Sequence, residues 1–341
     1  AASDVYKRQI MSNPFFINQG PYDILEILNL LDLSTNNFQK KNVYDVKDLL
    51  SASYNDLTFF HSKKYKDLAN LTKAAFCITT DNLKNELPKN CKPLVVKNVL
   101  ISTSIVTSKF YPDSVYDNFD SEVTDISETV YKNKIKFGKN VLVGKNVVLG
   151  SNCSIGHNTI IEKNAVIGDN CSVGSNTIIR NSLIGNDVKI LDNCIIGKHG
   201  FGFFPNSSKN IRYPHIGFVK IEDNCEIGSG STIDRGSMSN TIIGKNTFLD
   251  NQIHIAHNVR IGENGIIAGQ VGIAGSSVIG KNVKIGGQAG ISGHLKIGDN
   301  VEIAGGSGVI KDIPDNSKVM GYPAKNIRQF LKDNKWYIKQ L

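Results

Sequence analysis

Val259-Arg260-Ile261-Gly262-Glu263-Asn264 opens a run that, read in sixes as far as Asp312, continues GIIAGQ, VGIAGS, SVIGKN, VKIGGQ, AGISGH, LKIGDN, VEIAGG, SGVIKD. The third residue of every six is Ile or Val, and the fourth is mostly Gly or Ala. No helix has a six-residue hydrophobic period, and an ordinary hairpin sheet does not hold one through so many consecutive turns. A chain that turns a corner every six residues does. Three hexads then close one triangular coil, with the aliphatic side chain inward on each flat face. This is the hexapeptide signature of a parallel β-helix.

Outward from that run, hexads begin at Ile135, lose one residue at Asn181-Ser182, break at Gly200–Phe218 and again briefly at Ser237–Asn240, then run unbroken from Thr241. About 26 hexads make nearly nine coils, a prism roughly 40 Å long at the usual strand spacing. The insertion 200–218 is rich in Phe, Gly and Pro, and Gly200-Phe201-Gly202-Phe203-Phe204 is a candidate wall for a ligand. The expected organisation is a small α/β domain over 13–111, an acidic linker over 112–129, the β-helix over 130–319 and a short helical tail over 320–341. In the first domain, helices are expected over Pro21–Leu31, with Pro21 in the first turn, and over Asn98–Tyr111. Strands are expected over Ala74–Thr80 and Pro93–Lys97. In the tail, Ile327, Phe330 and Leu331, then Trp336, Tyr337 and Ile338, suggest an amphipathic helix. Residues Ala1–Ser12 have no periodicity and read as a tail or a non-native leader.

The 31 glycines against 9 prolines suit a corner-rich solenoid. No stretch approaches the ~18 apolar residues of a membrane span, and no secretory signal is visible, so a cytoplasmic protein is expected. The six cysteines form no C-x-x-C pair, and Cys153, Cys171, Cys194 and Cys225 fall at the first position of a hexad, where a small side chain packs into the coil. They read as structural thiols. The net charge of +8 is scattered among Asn-rich corners with no aromatic-interleaved basic stripe, which argues against nucleic-acid binding and leaves a phosphorylated substrate or an acidic protein as partner.

Hexads turn sequence distance into space, because residues 18 apart stack. One coil above His257 is Gly275; two coils above is Gly293, beside His294. Asp250 lies one hexad before His257. A corner histidine, a nearby acid and a backbone N–H one coil above would make a general base, its orienter and an oxyanion donor, a set suited to acyl transfer. A solvent-exposed corner histidine is the plain alternative for His257 and His294, and a surface or subunit-interface position for His254. His254 and His257 also permit a metal site, although no third ligand is evident. Phe59 and Tyr65 flank a Lys-Lys turn and would either stack on a planar base or sit in a core.

Together, LTFFHSKKY (57–65), HGFGF (199–203), STIDRG (231–236), DNQIHIAHN (250–258), GGQAGISGH (286–294) and GYPA (321–324) resemble the UDP-3-O-acylglucosamine N-acyltransferases of lipid A biosynthesis. The resemblance implies a left-handed β-helix and a homotrimer with sites between subunits. It also implies transfer of a 3-hydroxyacyl chain from acyl carrier protein to the 2-amino group of a UDP-3-O-acyl-glucosamine, with no resident cofactor or metal. It makes His257 the base, Asp250 its support, Gly275 the oxyanion donor, His254 a substrate contact, His294 a neighbour of the phosphopantetheine arm, and Phe59 and Tyr65 the uracil sandwich. Two positions depart from the family pattern: Ser62 stands where Asn is expected, and His199 where Asp is. Alternatives are another hexapeptide-repeat sugar O- or N-acyltransferase, a trimeric histidine–metal enzyme, and a non-catalytic scaffold.

Overall fold

The computed structural model describes residues 13–205 and 210–335. The readings of Ala1–Ser12 and of Trp336, Tyr337 and Ile338 lie outside the described residues. Two compact units are present. One comprises Phe16–Tyr116 with Gly202–Ile216, the other Asp117–Phe201 with the chain from Gly217 onward.

The first unit is built on a four-stranded parallel sheet in chain order: Asp45–Val46, Asp56–Phe60, Phe76–Thr79, Lys92–Val95. Leu57, Thr58 and Phe60 are buried, as befits an internal parallel strand covered on both faces. The helix Val99–Phe110 forms despite its β-branched residues. Asn98 caps it by accepting from the Ile101 amide (3.1 Å), and the Thr103 and Ser108 hydroxyls each donate to the carbonyl four residues back. Val99, Thr103, Val106 and Phe110 are buried along it, together with Ser104 and Thr107. The earlier helix differs from expectation. It runs Ile24–Leu30, because Asp23 caps it by accepting from the Leu25 amide (2.8 Å), and Pro21 stays outside it. Within the insertion, Phe203–Phe204 pairs antiparallel with Ile211–Arg212.

The second unit is a left-handed parallel β-helix. Each hexad contributes a strand of two to four residues, and every third strand pairs, giving three long sheets. Register falls 18 residues apart where hexads are unbroken, as in Ile255↔Ile273↔Ile291, and 17 apart across the missing residue, as in Ile179↔Ile196. The first and third positions of each hexad form one continuous core from Ile126 to Ala324. Replacing one of these aliphatics with Ala would cost about 2–5 kcal/mol. All six cysteines are free and buried. The four in hexads point their thiols at carbonyls of the next coil, for example Cys153 Sγ to Gly168 O at 3.1 Å.

Each corner needs one left-handed residue, and the sequence places Asn there again and again, with φ near +60°. The cost is offset by a ladder of side-chain amides: Asn246 to Asn264, Asn264 to Asn282, Asn282 to Asn300, at 2.8–3.0 Å. A second edge carries Gln252, Gln270 and Gln288 in the same arrangement. The third edge breaks the pattern with Asn258, Ser276 and His294, all left-handed.

Within the acidic stretch 112–129, Thr124–Asp125 pairs antiparallel with Leu142–Val143, and Ile126 joins the core. The tail forms a short helix, Ile327–Asp333, capped by Asn326, which accepts from the Arg328 amide (3.0 Å). Among the described residues, no helix is long and apolar enough to cross a membrane.

Candidate active site

On the face ending at the broken ladder, the outward strand position reads Thr232, His254, Gly272, Gly290, Gly308 in consecutive register. An added Cβ at Gly272 or Gly290 would meet nothing within 4 Å. These glycines therefore leave a channel along the prism, about 14 Å from His254 to Gly308 at the ordinary strand spacing. The Tyr322 ring covers Gly308 and closes the far end. The cavity measures about 460 Å³ and is walled by Phe201, His254, His257, Gly275, Ile310 and Tyr322, among others.

His257 stands at the corner of this cavity between two glycines. A Cβ at Gly200 would lie 2.9 Å from His257 Cβ, and one at Gly275 would lie 2.7 Å from Cε1 and 2.8 Å from Nε2 of the ring. The imidazole is thus packed against Gly275, where an added side chain would press on the ring. At the equivalent corners around Ser175 and Lys281, the backbone N–H donates to an aspartate of the next coil (2.6 and 2.7 Å). The Gly275 N–H has no acceptor among the described residues. Gly275 lines the cavity.

Burial, then the nearby His294 and His254, hold the His257 imidazole below its usual pKa and favour the neutral ring. Asn258 places its side-chain amide 3.3 Å from His257 Nδ1, while its Oδ1 accepts from the Ser237 amide (2.7 Å). His294 is tied to the same corner by donating its backbone N–H to Gly275 O (3.0 Å). Asp250 sits on the adjoining sheet, where its Oδ2 accepts from the Gly269 amide (3.0 Å) and its Oδ1 from Asn251 (2.9 Å).

His254 points back toward the preceding coil. Its Nδ1 is 2.7 Å from Thr232 Oγ1, and its Nε2 is 3.7 Å from Asp234 Oδ2. Burial, then Lys198, lowers its pKa. Asp234 is 2% exposed, and burial pushes its carboxyl up to about 7 against the opposing pull of Lys198 and Arg235. Beside it, the buried Arg235 pairs with Asp117 (2.7 Å), which also meets Arg180 (3.3 Å), and Arg180 meets Glu162 (2.9 Å). The sequence reading gave Asp117, Asp234 and this network no role.

In the first unit, the His61 ring neighbours both Phe59 (6.2 Å, stacked) and Tyr65 (5.3 Å, tilted). Tyr65 packs partly on the core, and Ser62 caps the 3₁₀ turn Lys63–Tyr65. His199 is buried, with Nδ1 2.8 Å from Gly200 O. Among the described residues, no three His, Cys, Asp or Glu side chains converge as a metal cluster would.

The family model described as UDP-3-O-(3-hydroxymyristoyl) glucosamine N-acyltransferase, LpxD, matches residues 41–107. The model for bacterial transferase hexapeptide repeats matches 240–275 and 276–311, and that for the GMPPB C-terminal domain matches 126–201. The chain is 37% identical over 256 residues to the UDP-3-O-acylglucosamine N-acyltransferase of Rickettsia prowazekii (strain Madrid E), covering 74% of each. It is 34% identical over 255 residues to the protein of the same name from Granulibacter bethesdensis, covering 74% of this chain and 75% of that one. Among solved structures, it resembles a UDP-N-acetylglucosamine acyltransferase from Campylobacter jejuni, at TM-score 0.50 and 25% identity, over 56% of this chain and 73% of that one.

Proposed function

As the chain belongs to the UDP-3-O-acylglucosamine N-acyltransferase family, we propose that it transfers a 3-hydroxyacyl chain from acyl carrier protein to the 2-amino group of a UDP-3-O-acyl-glucosamine, with His257 as general base. The observation that carries this reading is a buried, neutral-leaning imidazole lying over an unoccupied backbone N–H, at the head of a glycine-floored channel.

The chemistry follows from those parts. The amine nitrogen attacks the thioester carbonyl, and a C–N bond forms as His257 takes the N–H proton. The carbonyl oxygen, now negative, points at the Gly275 N–H; one such donor is commonly worth 10²–10³ in rate. The C–S bond then breaks, and the thiolate takes its proton from His257, returning the base to its starting state. The channel over Gly272, Gly290 and Gly308 receives the acyl chain, with His294 beside the pantetheine arm. Phe59 and Tyr65 stack on the uracil. The acyl group arrives on its carrier, so no resident cofactor or metal is required.

The working form is a homotrimer with sites between subunits. Within one chain the Asp250 carboxylate is bonded to Gly269 and Asn251, so we assign its support of the base to the assembled trimer. The amino-terminal match over residues 41–107 favours N-acylation over the related O-acyl transfer. The test is amide formation from 3-hydroxyacyl carrier protein with the UDP-3-O-acyl-glucosamine acceptor, against UDP-N-acetylglucosamine as the competing acceptor. Ester formation on the latter alone would overturn the assignment.

A further inference from the structure

An amine of ordinary basicity is mostly an ammonium at neutral pH. Acylation at nitrogen therefore disposes of two protons, one before attack and one during it, and the scheme above gives His257 only the second. The cavity holds another imidazole, that of His254, backed by a carboxylate. Asp234 occupies the fourth position of its hexad, where neighbouring coils of this face carry Ala256 and Ala274. Its Oδ1 is buried with no hydrogen-bond partner among the described residues. A carboxylate oxygen left so is costly to the fold and does nothing for the core.

We propose that Asp234 and His254 form a proton-accepting pair that converts the acceptor's ammonium to the free amine before His257 acts. This rests on the N-acyl transfer proposed above and adds a residue pair to it. His254 is the catalytic member and Asp234 the positioning residue. The Thr232 hydroxyl serves both charge states. It accepts from Nδ1–H while Nε2 keeps its lone pair, and the 3.7 Å gap between Nε2 and Asp234 Oδ2 is too long for a direct hydrogen bond. The ammonium gives one N–H proton to Nε2, leaving R–NH₂, an imidazolium and the Asp234 carboxylate facing it. That proton later leaves to solvent through the half-exposed ring. No bond to carbon changes in this step. The charged and titratable groups around the pair are Lys198 from the coil before, Arg235 and Asp117 beside Asp234, and His257 and His294 at the next corners. Lys198 helps to drive the proton out again.

The test uses the full chain with Asp234→Asn, His254→Gln and the double variant. In an NMR titration of His254, Asp234→Asn is expected to remove the inflection near pH 7 that the facing carboxyl imposes on the ring, since that carboxyl is pushed up to about 7. An unchanged titration curve overturns the pair whatever the activity. In acyl transfer at pH 7.5, above the raised carboxyl pKa of about 7 and still below that of the amine, each single variant is expected to lose roughly tenfold in kcat/KM, the double no more than either single, and the loss to vanish near pH 9, where the amine is already free. A merely structural Asp234 would give a pH-independent loss with His254→Gln silent, which overturns the proposal. His254 is half-exposed, so its variant reports even if Asp234→Asn does not fold. A wild-type chain without transfer refutes the acyl-transfer assignment instead, and the titration then still decides whether the two residues are paired.

Discussion

Replacing Gly275 with Ala isolates the position of the His257 ring. The new Cβ would lie 2.7 Å from Cε1 and 2.8 Å from Nε2. Ordinary carbon contacts are about 3.5–4.0 Å, so the ring must shift by roughly 1 Å. Gly275 is not among the positive-φ glycines, so Ala brings no backbone strain there, and its N–H remains. A displacement of that size costs about 10²-fold when it misplaces a reacting group, or ~2.7 kcal/mol of barrier. The overpacking itself should cost about 1 kcal/mol, the low end for an added methylene because the ring can yield toward the cavity, and Tm should fall by about 2–4 °C. Steady-state transfer with both substrates varied, alongside a melting curve, separates the effects. Expected is a ~100-fold drop in kcat with KM values within about threefold. Wild-type kcat in a folded Ala variant would refute the packing of base over glycine as the basis of catalysis.

Other predictions follow from the same geometry. The His257 pKa is depressed, and a base must be unprotonated to act, so the acidic limb of kcat/KM should fall below pH ~6.5; His294→Asn removes a group that lowers that pKa and should move the limb upward. Gly290→Leu would place a side chain in the open channel, and should cut transfer of long acyl chains at least tenfold while sparing short ones; equal loss for all lengths would deny the channel that role. Phe59→Ala should raise KM for the UDP-sugar much more than it lowers kcat, because stacking remote from the amine binds ground and transition states alike. Chelator treatment should leave activity intact, whereas stoichiometric zinc with loss on its removal would favour the histidine–metal alternative.

Much of this was legible in the residues. The six-residue period gave the strands, the core and the stacking of His257 over Gly275, because a solenoid converts sequence offset directly into position. The corners were legible as recurring Asn, whereas their left-handed conformation, and His294 as an exception among them, came from the backbone. The helix at Ile24 was misjudged at its start, since Asp23 competes with Pro21 as the initiating residue and its capping bond wins. The ionic network was harder. Glu162, Arg180 and Asp234 all stand at the small-residue fourth position of their hexads, which is a detectable anomaly. Asp117, which pairs with Arg180 and Arg235, comes from the acidic stretch before the repeats, whose register nothing in the hexads sets. Likewise Asp234 reaches His254 across a short break in the repeat, where counting by eighteens fails and the observed offset from Thr232 to His254 is 22. Tyr322 closes the channel from beyond the last hexads, again outside the reach of the period.

The most direct test of the central claim compares the native chain with His257→Ala in acyl transfer from 3-hydroxyacyl carrier protein to UDP-3-O-acyl-glucosamine. A fall of ~100-fold or more, with the fold and oligomeric state of the variant unchanged, is the predicted result. Robust transfer by both proteins would contradict the assignment of His257 as the base.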